Sequence, residues 1–247
     1  MKYEWNWGIF FQDVAAGSGK YWEWYLSGFG WTIAVALLAW IIAFSIGSIV
    51  GIVRTTPSKW LTFIGDSYVQ VFRNIPLIVQ MFLWFFVLPE LLPESVGTWI
   101  KTKLPLPSFT TAVVSLGFYT SARIAEQVKA GINSLPPGQK NASLALGMTL
   151  PSTYLHVLLP MAYRVILPPL TSEFMNVFKN SAVALTIGLV ELTAVARKTN
   201  EYTFQGFEAF LAATVIYMGI ALAVNRTMAA VEKRLSLPGY IGSSHKR

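Results

Sequence analysis

The chain has 247 residues, 54% of them hydrophobic and 13% charged, with a mean hydropathy of +0.50 and a formal net charge of +7. So much apolar surface needs a solvent other than water, and the chain reads as an all-α, polytopic membrane protein. It has no cysteine and two histidines, His156 and His245, which excludes disulfides, thiol chemistry and a Cys- or His-rich metal centre; its basic residues are scattered, not grouped as nucleic acid would require.

Residues 1–27 combine acidic side chains with Trp5, Trp7, Trp22 and Trp24 ahead of any long apolar run. That order is unlike a cleaved leader and suits an interfacial aromatic belt. A span needs about 20 mainly apolar residues. The sequence offers five such stretches, at 31–53, 75–92, 109–128, 157–177 and 207–224. In the first, Ala43, Gly47 and Gly51 recur every fourth residue, a ridge of small side chains that lets another helix approach closely. Arg73 and Asn74 open the second, with Pro76 near its first turn, where a missing N–H is tolerated. Arg73 reads first as an anchor that snorkels to the interface, and Gln80, one turn deeper, as a pathway candidate.

The third span places Ser115, Tyr119, Arg123 and Gln127 at steps of four on one face, with Glu126 beside Arg123. An arginine at mid-membrane costs about 3 kcal/mol or more against lipid, so Arg123 must face the bundle or water. Two roles stay open for it: a structural cation paired with Glu126, Glu173 or Glu191, or a guanidinium that receives a substrate carboxylate.

Residues 135–160 read LPPGQKNASLALGMTLPSTYLHVLLP. Pro136, Pro137 and Gly138 stop the third span. A short helix over 139–149 then sets Ala142, Ala145, Leu146 and Met148 on one apolar face, Pro151 ends it, and Ser152 or Thr153 caps the next helix. Such a stripe fits a groove on a partner or the membrane surface. Further on, FKNSA interrupts residues 157–196, about twice one bilayer crossing, which predicts a broken or re-entrant segment with Lys179 and Asn180 buried in protein or facing a cavity. Ser172, Glu173, Asn176, Lys179 and Asn180 form a second polar stripe. It serves a pathway, or else Lys179 and Asn180 only satisfy carbonyls freed at the break.

Orientation is set by the connections. One set holds Arg54, Lys59, Arg73, Lys129, Lys140, Arg164, Arg226, Lys233, Arg234, Lys246 and Arg247; the other holds Lys2, Lys20, Lys101, Lys103, Arg197 and Lys198. The richer set is expected in the cytoplasm, with the N-terminus outside, the C-terminus inside and the 135–160 loop between spans three and four on the inner side.

Gly138 and Gln139, then Ala142, then Ala145-Leu146-Gly147, and after nine residues Val157-Leu158-Leu159-Pro160, resemble the EAA loop of ABC importer permeases. Phe72-Arg73-Asn74-Ile75-Pro76-Leu77 with Gln80, and Lys179-Asn180-Ser181, are similar to elements of the polar amino acid permeases. Trp5 to Phe10 (WNWGIF), Leu88 to Glu94 (LPELLPE) and Thr171-Ser172-Glu173 look like the acidic amino acid branch of that family. Asn141 and Ser143 depart from the usual glutamate and alanine.

The resemblance implies a transport subunit of an ATP-driven, binding-protein-dependent amino acid importer in a bacterial inner membrane, carrying glutamate or aspartate. It implies an N-terminal interfacial segment at 1–27, a transmembrane domain at 28–231 and a cytoplasmic tail at 232–247. Gly138, Gln139, Asn141, Ala142, Ala145, Leu146, Gly147 and Pro160 would couple to a cytoplasmic ABC ATPase dimer. Gln80, Tyr119, Arg123, Glu126, Glu173, Asn176, Lys179 and Asn180 would line the substrate pathway. The other partners would be a sister permease subunit, an external amino-acid-binding protein and membrane lipid. No GxxxxGK[ST] loop is present, so ATP and magnesium belong to the partner and this chain carries no cofactor. An ion-coupled carrier or channel is the second class; an intramembrane enzyme would need a nucleophile and base that the sequence does not assemble.

Overall fold

The computed structural model describes residues 3–15 and 17–235. Lys2, and the expected tail beyond 235 with His245, Lys246 and Arg247, lie outside the described residues. Among the described residues a short 3-10 turn, Trp7–Phe11, precedes nine helical segments: α1 (Tyr21–Val53), α2 (Lys59–Asn74), α3 (Leu77–Leu91), α4 (Glu94–Thr102), α5 (Pro107–Asn133), α6 (Pro137–Ala145), α7 (Leu150–Ile187), α8 (Leu192–Thr203) and α9 (Gly206–Leu235). Among the described residues the one β-type pairing is the bridge Asp13–Lys20. The chain divides into a first unit of residues 1–41, 76–117 and 176–223 and a second of 42–75, 118–175 and 224–247.

By length and composition, α1 and α9 can each cross a membrane, and α2 with α3, and α7 with α8, qualify only as broken pairs. The expected third span falls within α5, 27 residues and about 40 Å long. Its Ser, Thr, Tyr and Arg side chains make it too polar to qualify by hydropathy, as befits a helix enclosed by protein.

The sequence reading missed α2. Its apolar side chains divide between a buried edge at Gly65 and Val69 and an outward face carrying Trp60, Phe63 and Ile64. Ser58 caps its start by accepting from the Leu61 N–H, and Pro76 forces Ile75 into extended backbone at its end.

A break is present, but it lies at residues 188–191, after FKNSA and not at it. α7 tightens into 3-10 geometry over Ser181–Ile187, Gly188 takes φ +84°, and α8 departs at 49°. Lys179, however, is exposed, because it occupies the outward side of the last α-turn beside buried Val177 and Phe178. Glu191 caps α8, its carboxylate accepting from the Thr193 and Ala194 N–H groups at 3.0 and 2.8 Å. In the same unit Tyr25, Leu192, Val195, Ala196 and Ala213 form a buried cluster, and Thr32 Oγ1 accepts from the Leu192 N–H at 3.2 Å.

The 135–160 loop also differs in detail from expectation. α6 starts at Pro137, since proline's fixed φ and missing N–H suit a first turn, and ends at Ala145, with Gly147 left-handed at φ +83°. Thr149, not Ser152 or Thr153, caps the following helix, and Pro151 lies in its first turn.

The second unit is built on close approach. A Cβ on Gly47 would stand 2.7 Å from Ile124 Cβ, and one on Gly51 would stand 2.6 Å from Val128 Cβ, so the predicted ridge of α1 meets α5. Gly65 makes room in the same way for the stem of Arg54, whose Cγ is 2.5 Å from the Cβ position. The Arg54 side chain is 6% exposed; Nε donates to Asp66 Oδ1 at 2.6 Å and Nη2 to Glu126 Oε1 at 3.0 Å. Lys129 Nζ adds a second cation 3.2 Å from Asp66. The Arg54 hydrogen bond, with help from Lys129, holds the Asp66 carboxyl below its ordinary pKa.

Gly51→Val forces two helices apart and should lower the melting temperature of the detergent-purified protein, at a cost of about 1–3 kcal/mol. Gly30→Ala, whose Cβ would meet no atom within 4 Å, should leave it unchanged. Asp66→Asn should destabilise at neutral pH. A lowered carboxyl pKa stabilises above the ordinary carboxylate range and loses that contribution as pH falls through the lowered value, so the gap to wild type should close below about pH 4.

Candidate functional site

A cleft of about 550 Å³ opens in the second unit, lined by Arg73, Asn74, Arg123, Glu126, Gln127, Ala130 and Glu173. α5 supplies four of these by its pitch: Arg123, Glu126, Gln127 and Ala130 share one face at steps of three and four. Arg73 and Asn74 come from the last turn of α2, and Glu173 from α7.

Arg123 is held on three sides. Its Nη2 donates to Tyr119 OH at 2.9 Å, its guanidinium carbon lies 5.1 Å from the Tyr119 ring centroid, and Nη1 is 3.8 Å from Glu173 Oε1. Its side chain remains 42% exposed at the cleft, although Nε is enclosed. Glu126 Oε1 receives Arg54 from within and stands 3.6 Å from Arg73 Nη1. Gln127 Nε2 donates to the Pro169 carbonyl at 3.4 Å, beside two prolines of α7 that leave carbonyls one turn back without their usual N–H partners.

The structure thus brings together Arg123, Glu126 and Glu173 from the expected pathway set, with Tyr119 behind Arg123. Gln80 (2% exposed), Asn176, Lys179 and Asn180 belong to the first unit and do not line this cleft. Arg73 lines the cleft and stands 3.6 Å from Glu126, with its side chain 58% exposed, a contact that the sequence reading did not name. Arg54 and Asp66 were missed outright, because their partners lie on other helices.

On α6 and the turn after it, Asn141, Ala142, Leu144, Ala145, Leu146 and Gly147 are exposed, and Leu146 is 84% so. Gly138 is open to solvent too, while Gln139 is half-buried and Pro160 lies exposed within α7, just past its π turn. Ser143, buried, donates to the Lys140 carbonyl at 2.8 Å and lies 3.2 Å from Thr153 Oγ1, which fixes α6 to the start of α7.

Comparison with known proteins gives a consistent result. The chain is 51% identical over 244 residues to the glutamate/aspartate import permease protein GltJ of Escherichia coli K12, covering 98% of this chain and 99% of that one. It is 32% identical over 211 residues to the probable glutamine ABC transporter permease protein GlnM of Bacillus subtilis, covering 85% and 93%. Among solved structures, an amino acid ABC transporter crystallised with histidines matches with a TM-score of 0.73 at 29% identity, covering 87% of this chain and 95% of that chain. The inward-facing methionine transporter MetNI shares the fold, with a TM-score of 0.72 at 20% identity over 87% and 98%. Residues 43–237 match the binding-protein-dependent transport system inner membrane component, and the chain belongs to that family of polytopic membrane proteins.

Proposed function

We propose that this chain is the permease subunit of an ATP-driven importer of glutamate and aspartate, and that the Arg123 cleft receives the substrate on its way through the membrane. The observation that carries the cargo is charge balance. The contacts around the cleft join four cations, Arg54, Arg73, Arg123 and Lys129, to three carboxylates, Asp66, Glu126 and Glu173. One positive charge is left over. An acidic amino acid at neutral pH carries one net negative charge and restores neutrality on entering, whereas a basic one would double the excess. A part-exposed guanidinium suits a carboxylate by bidentate geometry, and Glu173 is placed to meet the substrate ammonium. The kinship with a glutamate/aspartate import permease supports the same cargo.

In this reading α5 supplies the third of five spans, the N-terminus is outside and α6 faces the cytoplasm. The exposed stripe of α6 docks on an ABC ATPase, which holds ATP and magnesium; a sister permease completes the pore and an external binding protein delivers the amino acid. The reading keeps an N-terminal interfacial segment at 1–27, a transmembrane domain at 28–231 and a cytoplasmic tail at 232–247, in a bacterial inner membrane.

The deciding test is ATP hydrolysis by the reconstituted complex with its binding protein, given glutamate, aspartate, glutamine, histidine or arginine singly. Glutamate and aspartate alone should stimulate; stimulation by a neutral or basic amino acid would overturn the acidic cargo. Arg123→Ala should cut glutamate uptake roughly 10- to 100-fold, the worth of a charge-assisted hydrogen bond, with ATPase assembly intact. Gly147→Asp places a side chain at φ +83° on the docking face and should reduce co-purification of the ATPase.

A further inference from the structure

We infer that Tyr154 is a positioning residue that carries movement of α6 to the cleft, through the corner after α1 and the buried Arg54–Glu126 pair. The inference rests on the proposed importer function. Tyr154 is 6% exposed, and its hydroxyl donates to the Thr55 carbonyl at 2.7 Å and lies 3.1 Å from Thr55 Oγ1. On one side of it, the buried Ser143–Thr153 contact ties α6 to the turn where Tyr154 sits. On the other, Thr55 directly succeeds Arg54, whose guanidinium fixes Glu126 at the floor of the cleft.

Each link is short and buried or half-buried, and all lie within the second unit. A displacement of the docking helix therefore cannot leave Glu126 in place without breaking a hydrogen bond in an enclosed setting. The loss is larger than at a solvated surface, because a stranded donor or carboxylate retains its desolvation cost.

Transmission also needs an element with two arrangements. Tyr154 opens a π turn, Tyr154–Leu158, in which the Leu159 N–H donates to the Tyr154 carbonyl, five residues back. Closing such a turn to α geometry rotates the helix on its N-terminal side by about 100° relative to the helix on its C-terminal side. The Tyr154 hydroxyl would then leave Thr55, release the Arg54 corner and shift Glu126 against Arg73 and Arg123.

The test uses the whole complex in liposomes with its binding protein, read as glutamate imported per ATP hydrolysed, together with glutamate affinity of the detergent-purified complex. Tyr154→Phe should lower the transport ratio roughly fivefold, the effect of one buried hydrogen bond, with affinity and ATPase assembly unchanged. An unchanged ratio would overturn the relay. So would an equal loss in Tyr68→Phe, which removes a comparable hydrogen bond to Ser121 at 2.6 Å away from the Thr55 corner. If Tyr154→Phe does not assemble, Thr55→Val removes the hydroxyl contact to Tyr154, together with that hydroxyl's bond to the Ile52 carbonyl, and is read by the same two criteria. Absence of glutamate-stimulated hydrolysis in the wild type would overturn the importer reading and the relay with it, and is distinguished from failure of the relay alone by the wild-type measurement.

Discussion

A buried guanidinium needs carboxylates against it, and the second unit is arranged around that requirement at Arg54, whose Nε and Nη2 are paired while Nη1 is enclosed without a hydrogen-bond partner among the described residues. The side chain passes over Gly65, where no Cβ intrudes, and divides its donors between Asp66 on α2 and Glu126 on α5. One residue at the end of α1 thereby fixes the register of three helices. The carboxylates it binds are not fully spent by the pairing: Asp66 also takes Lys129, and Glu126 also faces Arg73. In the proposed function, an acidic substrate entering the cleft would balance the one cation by which this ion-pair network exceeds its carboxylates.

The backbone around this network combines close packing with deliberate interruption. Gly47 and Gly51 bring α1 onto α5 so tightly that the ion pairs need not stretch. Pro76, Gly188 and the paired prolines of α7 then break or loosen helices at defined points along the chain. Rigid contacts thus alternate with places where helix geometry can change, which a transporter that exposes its pathway to each side in turn requires.

How far the sequence could be read depends on the range of each interaction. The Ala43-Gly47-Gly51 ridge was legible because its signature is local and periodic. Arg123 with Glu126 and Glu173 was legible because charge inside apolar sequence is costly enough to demand a reason. Arg54 and Asp66 were not, since pairing between positions 54 and 126 leaves no local pattern. α2 was overlooked because its apolar residues are too few for a span. The stripe drawn from Glu173 through Asn180 presumed one environment along the helix, whereas α7 leaves the second unit at residue 175. The start of α6 was misjudged because Pro-Pro-Gly reads as a breaker, although proline in a first turn begins a helix as readily as it ends one.

The N-terminal segment carries a further implication, for the order of assembly. Glu208, fully enclosed in the first turn of α9, accepts from the Asn6 N–H and the Tyr3 hydroxyl, while Tyr3 packs edge-on against Phe207 at 4.7 Å. The seat of the first residues is therefore made of residues synthesised some two hundred positions later. Loop closure over that distance comes late. The carboxylate that holds the leading segment exists only once α9 has been made, so Tyr3 and Asn6 can take their seat only after most of the first unit has been translated.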